Sequence, residues 1–438
     1  MTSDWFKLTL GDVCEKITDG AHKSPKSVDD GKPMASVKDL TRFGVDLSNA
    51  RKISKEDFSD LVQQGCKPRV GDVLIAKDGN SALDTVCTVD SEIDAVLLSS
   101  VAILRPDPEM LDSNFLKYYF CSPQVIDYLK TNFISGAAIP RVVLRDFRKA
   151  EINLPPLSIQ RKISQCLSSI DNKIFSNTQT NQTLEAMAQT IFKSWFVDFE
   201  PVKAKMNGEQ PEGMDAVTAS LFPEKLVESG LGLIPEGWAV NQLSDICKNH
   251  SQSYDLKSVD EVVFVNTGDV QEGDFLHCDY SPVAGLPGQA KKAIKEDDIL
   301  YSEIRPKNKR FAYVDFDVSD YVVSTKFMVI QANEKVHPRL LYMILTRQQT
   351  IDEFNIIADS RSGTFPQITF KAISNLEFCI APRNVQEAFV EQVMPLIKLQ
   401  CSLKAENKQL AELRDTLLPK LLSGEIELGK TQELIEVE

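Results

Sequence analysis

What this chain is short of narrows its function first. No stretch approaches the ~18 consecutive apolar residues of a membrane span. Its nine cysteines are scattered without a CxxC pair, so a zinc site or redox dithiol has no basis in the spacing. Met1 to Leu10 is mixed, with Asp4 and Lys7, and does not read as a secretory signal. Reduced, mostly buried thiols in a cytoplasmic protein are therefore expected. The four histidines (His22, His250, His277, His337) lie far apart, and no metal centre is expected. Nor is there a G-x-x-x-x-G-K-[ST] loop for ATP, or an Asn-Pro-Pro-aromatic tetrad suited to adenine methylation. Asp29-Asp30 and Asp297-Asp298 read as turn residues rather than as a nuclease centre. Positive charge is also missing. A net charge of −14 is the wrong sign for a protein that holds nucleic acid by charge alone.

What is present is a long duplication. Setting Pro156 on Pro382 brings Leu154-Pro155-Pro156 onto Ile380-Ala381-Pro382, Gln160 onto Gln386 and Ile163 onto Phe389. The same register places Asp72-Val73-Leu74 on Asp298-Ile299-Leu300 and Pro140-Arg141-Val142 on Pro366-Gln367-Ile368. Toward the amino ends the offset lengthens, and Trp5, Leu10, Asp12, Val13 and Cys14 meet Trp238, Leu243, Asp245, Ile246 and Cys247. The repeat is far longer than the roughly 50 residues of a solenoid unit, so this is a duplicated domain. At 438 residues there is room for two or three domains. An apolar share of 42% with 26% charged residues places them in the globular range.

Each half opens with β-rich sequence. Val70 to Lys77 and Leu98 to Leu104 read as strands, with counterparts Asp298 to Ser302 and Val322 to Ile330. Helices are expected near Asn114–Phe120 and Arg339–Thr346, which makes each globular part mixed α/β. Each half then closes on an amphipathic helix. Ile163, Leu167, Ile170, Ile174, Asn177, Asn181, Leu184, Ala188, Ile191 and Trp195 recur at steps of four and three. Their counterparts are Phe389, Val393, Leu396, Gln400, Leu403, Asn407, Leu410, Arg414, Leu417 and Leu421. Steps averaging 3.5 residues mark a coiled-coil seam. Asn181 and Asn407 interrupt both seams at the same point, either to fix register or because they sit at a solvated edge. Pro395 should kink the second helix or delay its regular part.

A helix from Gln160 to Phe196 is about 55 Å long at 1.5 Å per residue. Paired antiparallel, two such helices would separate two globular domains by more than one ~34 Å turn of B-DNA. Pro201 to Gly237 is rich in Pro, Gly and Glu, lacks apolar periodicity, and reads as a crossover. The expected order is a globular domain over 1–155, a spacer helix over 156–200 and a connector over 201–234. A second domain over 235–381, a second spacer helix over 382–426 and a tail over 427–438 follow.

Five local phrases then carry a resemblance. They are Thr18-Asp19-Gly20-Ala21-His22-Lys23-Ser24-Pro25, Leu154-Pro155-Pro156 leading to Gln160, and Trp195-Phe196-Val197-Asp198-Phe199-Glu200-Pro201. Leu233-Ile234-Pro235-Glu236-Gly237-Trp238 and Leu417-Leu418-Pro419-Lys420-Leu421-Leu422-Ser423-Gly424-Glu425-Ile426 complete the set. In this order, with the duplication, the chain resembles the specificity subunit of Type I restriction–modification enzymes across essentially its whole length. One departure is Ala381-Pro382-Arg383-Asn384 where the first half has Pro155-Pro156-Leu157-Ser158, so the two helices could start at different angles.

The resemblance implies a non-catalytic subunit whose two domains each read one half of a bipartite, asymmetric double-stranded DNA target. It implies helices that set the gap and dock two modification subunits, which methylate adenine with S-adenosylmethionine. Restriction subunits using ATP and Mg²⁺ would join that core. The acidic net charge fits a subunit whose partners complete the grip on DNA. The competing readings are a coiled-coil adaptor with protein-binding ends and an enzyme with an unrecognised site.

Base edges are read by Arg or Lys at guanine, Asn or Gln at adenine, and Ser or Thr at either. In the first domain that chemistry falls on His22, Lys23, Ser24 and Lys26, on Lys77, Asn80 and Ser81, and on Arg141 and Arg145. The last stretch, with Arg148 and Lys149, could equally be a salt-bridged face. In the second domain the densest group is Arg305, Lys307, Asn308, Lys309 and Arg310, either a recognition loop or a solvated turn. Arg361, Ser362, Thr364 and Gln367 follow, where Gly and Pro could simply shape a turn. Gln367 and Arg141 occupy equivalent places and would favour different bases.

Overall fold

The computed structural model describes residues 5–79, 82–135, 141–361, 366–426 and 428. The chain folds into two compact units. One holds Met1–Asn181 and Cys401–Glu438, and the other holds Gln182–Gln400.

In the first unit the strand Val73–Ala76 is apolar at every position and buried on both faces. It lies inside a sheet whose strand order is Cys14–Asp19, Val101–Pro106, Val73–Ala76, Val86–Thr88. A short sheet of Arg51–Ile53, Lys32–Ala35 and Val96–Leu97 adjoins it, with Met34 pairing parallel to Val96. Phe6–Thr9 pairs antiparallel with Glu151–Leu154 and ties the chain's start to the strand that precedes the long helix.

The second unit repeats this plan. Its main sheet runs Cys247–His250, Phe327–Ala332, Ile299–Ser302, Phe311–Tyr313, and Ala239–Gln242 pairs with Glu377–Ile380. The helices Ser113–Cys121 and Pro338–Thr346 fall where expected. The run expected as one strand over Val322–Ile330 is two, Tyr321–Ser324 and Phe327–Ala332, in different sheets. A turn at Thr325–Lys326 divides an apolar run that carries no Gly or Pro to announce it.

Two equivalent glutamines join each helix to its domain. The helix Leu157–Phe196 starts after Pro155-Pro156, and Gln160 in its first turn is buried. The Gln160 amide nitrogen donates to the Met110 and Pro155 carbonyls, both at 2.9 Å, and its oxygen accepts from the Asp112 N–H at 2.9 Å. Gln386, in the helix Arg383–Leu422, donates to the Lys335 and Ala381 carbonyls and accepts from the His337 N–H. Each carboxamide has its donors and its acceptor satisfied, as burial demands.

Each seam residue named above is buried or half-buried. In the first unit Asp171 meets Arg414 at 3.0 Å and Asn177 meets Asn407 at 2.9 Å. In the second, Glu185 meets Gln400, and Phe192, Trp195 and Phe196 close on Phe389. Numbers rise on one helix as they fall on the other, so the pairing within each unit is antiparallel. For the same reason Asn407 faces Asn177 and Thr178 rather than Asn181.

Helical geometry also continues through Pro395, which is exposed. The Glu391 carbonyl that loses its usual donor there belongs to an exposed residue, so the delayed helix expected from the sequence does not arise. The connector Pro201–Gly237 holds regular elements of its own. It forms the helices Glu200–Met206 and Ala216–Ser220 and the hairpin Leu226–Ser229/Gly232–Pro235. Val202 and Phe222 bury against the second unit's core with Trp195 and Trp238. A few large anchors hold this segment, which is why no periodicity announces it.

A buried ionic cluster fastens the first domain to both helices. Asp171, whose side chain is 3% exposed, accepts from the Arg414 guanidinium at 3.0 Å and the Tyr118 hydroxyl at 2.8 Å. Arg42 reaches it at 3.2 Å from the hairpin Leu40–Val45, and Lys117 at 3.3 Å from the helix Ser113–Cys121. Phe43 adds a ring contact to Phe175 at 5.3 Å. Burial pushes the Asp171 carboxyl up, but Arg42 and Lys117, helped by bonds from Tyr118 and Arg414, more than reverse this and hold it below the ordinary value. A depressed carboxyl stabilises above its unfolded pKa of about 4 and loses that contribution as pH falls through the lower folded value. Asp171→Ala leaves the half-buried Arg42 and the buried Lys117 without their counter-charge, while Arg414 keeps Asp415, and should cost about 3–5 kcal/mol in denaturant unfolding. The variant's deficit relative to the parent should shrink in acid below about pH 4, and a deficit that stays constant there would be inconsistent with the cluster.

Candidate nucleic-acid interface

The central strand of each domain delivers the chain to the same place. After Val73–Ala76, the Lys77 carbonyl accepts from the Val142 N–H at 3.0 Å, and Asp78 forms an antiparallel bridge with Arg141. After Ile299–Ser302, the Ile368 N–H donates to the Glu303 carbonyl, and Ile304 forms the equivalent bridge with Gln367. Two stretches that lie more than fifty residues apart in sequence therefore meet in each domain, in the same register.

In the first domain these stretches are governed by carboxylates. Lys77 is 5% exposed, and its ammonium lies 2.6 Å from Asp19. Expected as a contact to nucleic acid, it is spent inside the fold: a buried ammonium requires a counter-charge, and Asp19 supplies it. The other Asp19 oxygen lies 3.2 Å from Nε2 of His22, which brings the His22–Lys26 loop beside Lys77. Lys23, Ser24 and Lys26 are exposed, and Arg51 donates to the Pro25 carbonyl at 3.2 Å beneath them. Arg141, with its side chain 62% exposed, donates from Nε to Asp78 at 3.0 Å.

The stretch beyond it is largely scaffold. Arg148 donates to the Ile17 carbonyl at 2.7 Å, and Lys149 and Arg145 lie 3.0 and 3.9 Å from Asp146. This is the salt-bridged face that sequence spacing left open. Asn80 and Ser81 lie outside the described residues.

In the second domain the loop from Arg305 to Arg310 is held by its backbone. Arg305 and Lys309 have left-handed φ angles of 45° and 53° around the turn Pro306–Asn308. Such φ angles in non-glycine residues cost about 1–3 kcal/mol each and persist only where neighbours enforce them. The neighbours here are identifiable. The Arg305 N–H donates to the Pro366 carbonyl at 3.1 Å and the Lys307 N–H to the Asn355 side chain at 2.8 Å. From the hairpin Val270–Phe275, the Glu272 N–H donates to the Lys309 carbonyl and Gln271 to the Asn308 carbonyl. Lys309 also pairs with Glu272 at 3.6 Å. Arg305 and Lys307 stay exposed while Asn308, Lys309, Arg310 and Gln367 are half-buried. Ser362 and Thr364 lie outside the described residues, as does the side chain of Arg361.

The supporting carboxylates Asp19, Asp78 and Glu272 escaped the sequence search, which looked for cations and amides, and Gln271 and Asn355 escaped it because they lie far in sequence from the loop they hold. Among the described residues no cluster of His, Cys, Asp and Glu is placed to hold a metal. Burial pushes the thiols of Cys14, Cys87 and Cys247 up to about 12, leaving them protonated near neutrality.

A family profile described as the Type I restriction modification DNA specificity domain matches residues 2–186 and again 235–413. The chain belongs to that family. It carries two copies of a DNA specificity domain, and the relatives it matches are specificity subunits of Type I restriction enzymes. The specificity subunit of the Type I restriction enzyme HindI of Haemophilus influenzae is 48% identical over 179 residues, 40% of this chain and 39% of that one. The chain thus spans well under half of that relative's length in the match. The MjaIX specificity subunit of Methanocaldococcus jannaschii is 27% identical over 323 residues, covering 72% of this chain and 69% of its own. In fold, the S subunit of a Type I restriction–modification system from M. genitalium superimposes with a TM-score of 0.57 at 17% identity, over 96% of each chain.

The loop from Arg305 to Arg310 brings four cationic residues together as the densest candidate for contact with nucleic acid in the second domain. Replacing Arg305→Ala together with Arg310→Ala should weaken DNA binding by the assembled complex and flatten its dependence on salt by about one unit of slope per lost phosphate contact. Binding isotherms at several salt concentrations check this, and unchanged affinity at moderate salt would remove the loop from the interface.

Proposed function

We propose that the two domains read the two parts of a bipartite, asymmetric DNA target, each through the surface where its central strand meets the segment around residue 141 or 367. The observation that carries this reading is the repeated bridge, Asp78 with Arg141 and Ile304 with Gln367, built alike but faced with different side chains. A repeated scaffold with unlike chemistry at the same place suits two half-sites of different sequence.

On this reading the paired helices set the gap between half-sites and dock two modification subunits, which methylate adenine with S-adenosylmethionine. Restriction subunits that use ATP and Mg²⁺ would join when cleavage is needed. The net charge of −14 supports a shared grip, because a clamp completed by partners does not need its own large basic surface.

Sequencing methylated adenines in cells that express the chain with its modification subunits tests the proposal. The expected motif is two-part and non-palindromic. Exchanging residues 1–155 for the matching domain of a relative should change one part and leave the other intact. A palindromic motif, or an exchange that alters nothing, would exclude two independent readers.

A further inference from the structure

Resting on that two-reader reading, we infer that Asp78 and Arg141 form a built guanine reader in the first domain, with Asp78 as the positioning residue. The chemistry lies in which donor is used. Arg141 gives its Nε–H to Asp78 at 3.0 Å, which fixes the guanidinium plane and leaves the two Nη groups as the remaining donors of a side chain that is 62% exposed. Two parallel N–H donors at that edge match O6 and N7 of guanine in the major groove.

Asp78 is anchored in turn. Its backbone bridges Arg141, its side chain is only 16% exposed, and the adjoining Lys77 is locked to Asp19. An ion pair with so exposed an arginine contributes little to stability, so orientation is the larger consequence of the contact.

The carboxylate also argues against the blander role of a phosphate contact. A phosphate drawn to Arg141 would have to approach the negative Asp78, and Lys77 is already neutralised by Asp19. A base edge carries no such charge. In the second domain the same two places hold Ile304 and Gln367, a neutral pair without a carboxylate brace. A glutamine amide there matches N7 and N6 of adenine instead. The duplicated position thus assigns a guanine to the half-site of the first domain and an adenine to that of the second.

The test uses the chain expressed with its modification subunits in a host free of other adenine methylation, reading the motif by sequencing. Arg141→Gln and Asp78→Asn are compared with the parent, and thermal unfolding of each purified complex establishes that it folds. Both variants should relax discrimination at one and the same guanine of one half-site, by about ten- to a hundredfold, and leave the other positions unchanged. A uniform loss of methylation at all sites, with no change of motif, would make Arg141 a phosphate contact and overturn the assignment while the two-part reading stands. Relaxation by Arg141→Gln with no effect of Asp78→Asn would overturn the positioning role. A parent motif that is palindromic would sink the underlying two-reader proposal itself.

Discussion

A carboxylate taken out of water must be met by charge and hydrogen bonds on every side, and Asp171 is met from three separate elements. Arg42 comes from a hairpin of the recognition domain, Lys117 and Tyr118 from its helix, and Arg414 from the opposing long helix. None of these can move without uncovering a buried charge. Apolar packing of Ile163, Leu167, Leu418 and Leu421 is tolerant of sliding by comparison. The ionic cluster converts a greasy contact between domain and helices into one with a single register. The second unit solves the same problem differently. Where the duplication puts a counterpart to Asp171 and to Arg414 it has Ile397 and Ala188, and its helices are held by the aromatic group around Phe389.

Duplication therefore preserved the backbone plan while the charges diverged. Asp72 and Asp298 open equivalent central strands, and each accepts a backbone N–H from three residues before it. Asp72 then forms a two-pronged pair with Arg105, whereas Asp298 receives only the neutral amide of Gln331. Burial holds the Asp298 carboxyl above its ordinary value, outweighing the hydrogen bonds from Lys295 N–H and Gln331 and the nearby charge of Lys295. Such a group favours the fold at pH below its unfolded pKa and works against it as pH rises, the reverse of Asp171. These two carboxylates consequently carry opposite acid responses on one architecture.

The repeated plan was legible because it is written in residues that each do a local job. Prolines stop strands, Gln160 and Gln386 staple helix starts, and steps of three and four place the seam. What escaped was anything created by tertiary convergence. Nothing near Asp171 in sequence announces that Arg42 and Arg414 will meet there. The packing of the Pro201–Gly237 connector was not legible because Val202 and Phe222 are isolated anchors without a period. At the candidate interface, Lys77 read as a donor for nucleic acid by its type and position. Its burial depends on Asp19, which belongs to a strand that pairs with Val101–Pro106 rather than to any neighbour in sequence.

That last case bears on how an acidic chain recognises DNA. Acidic residues inside a recognition surface weaken attraction to phosphate and so cost non-specific affinity. They also hold cationic side chains in one orientation, and base edges reward orientation where phosphates reward charge alone. On the proposed reading, the carboxylates of Asp78 and Glu272, each beside a candidate cation, would shift the balance from grip toward discrimination. A reader that acts within a larger assembly can accept that exchange, because partners can supply the grip. A stand-alone binder of the same composition would discriminate well but hold DNA weakly.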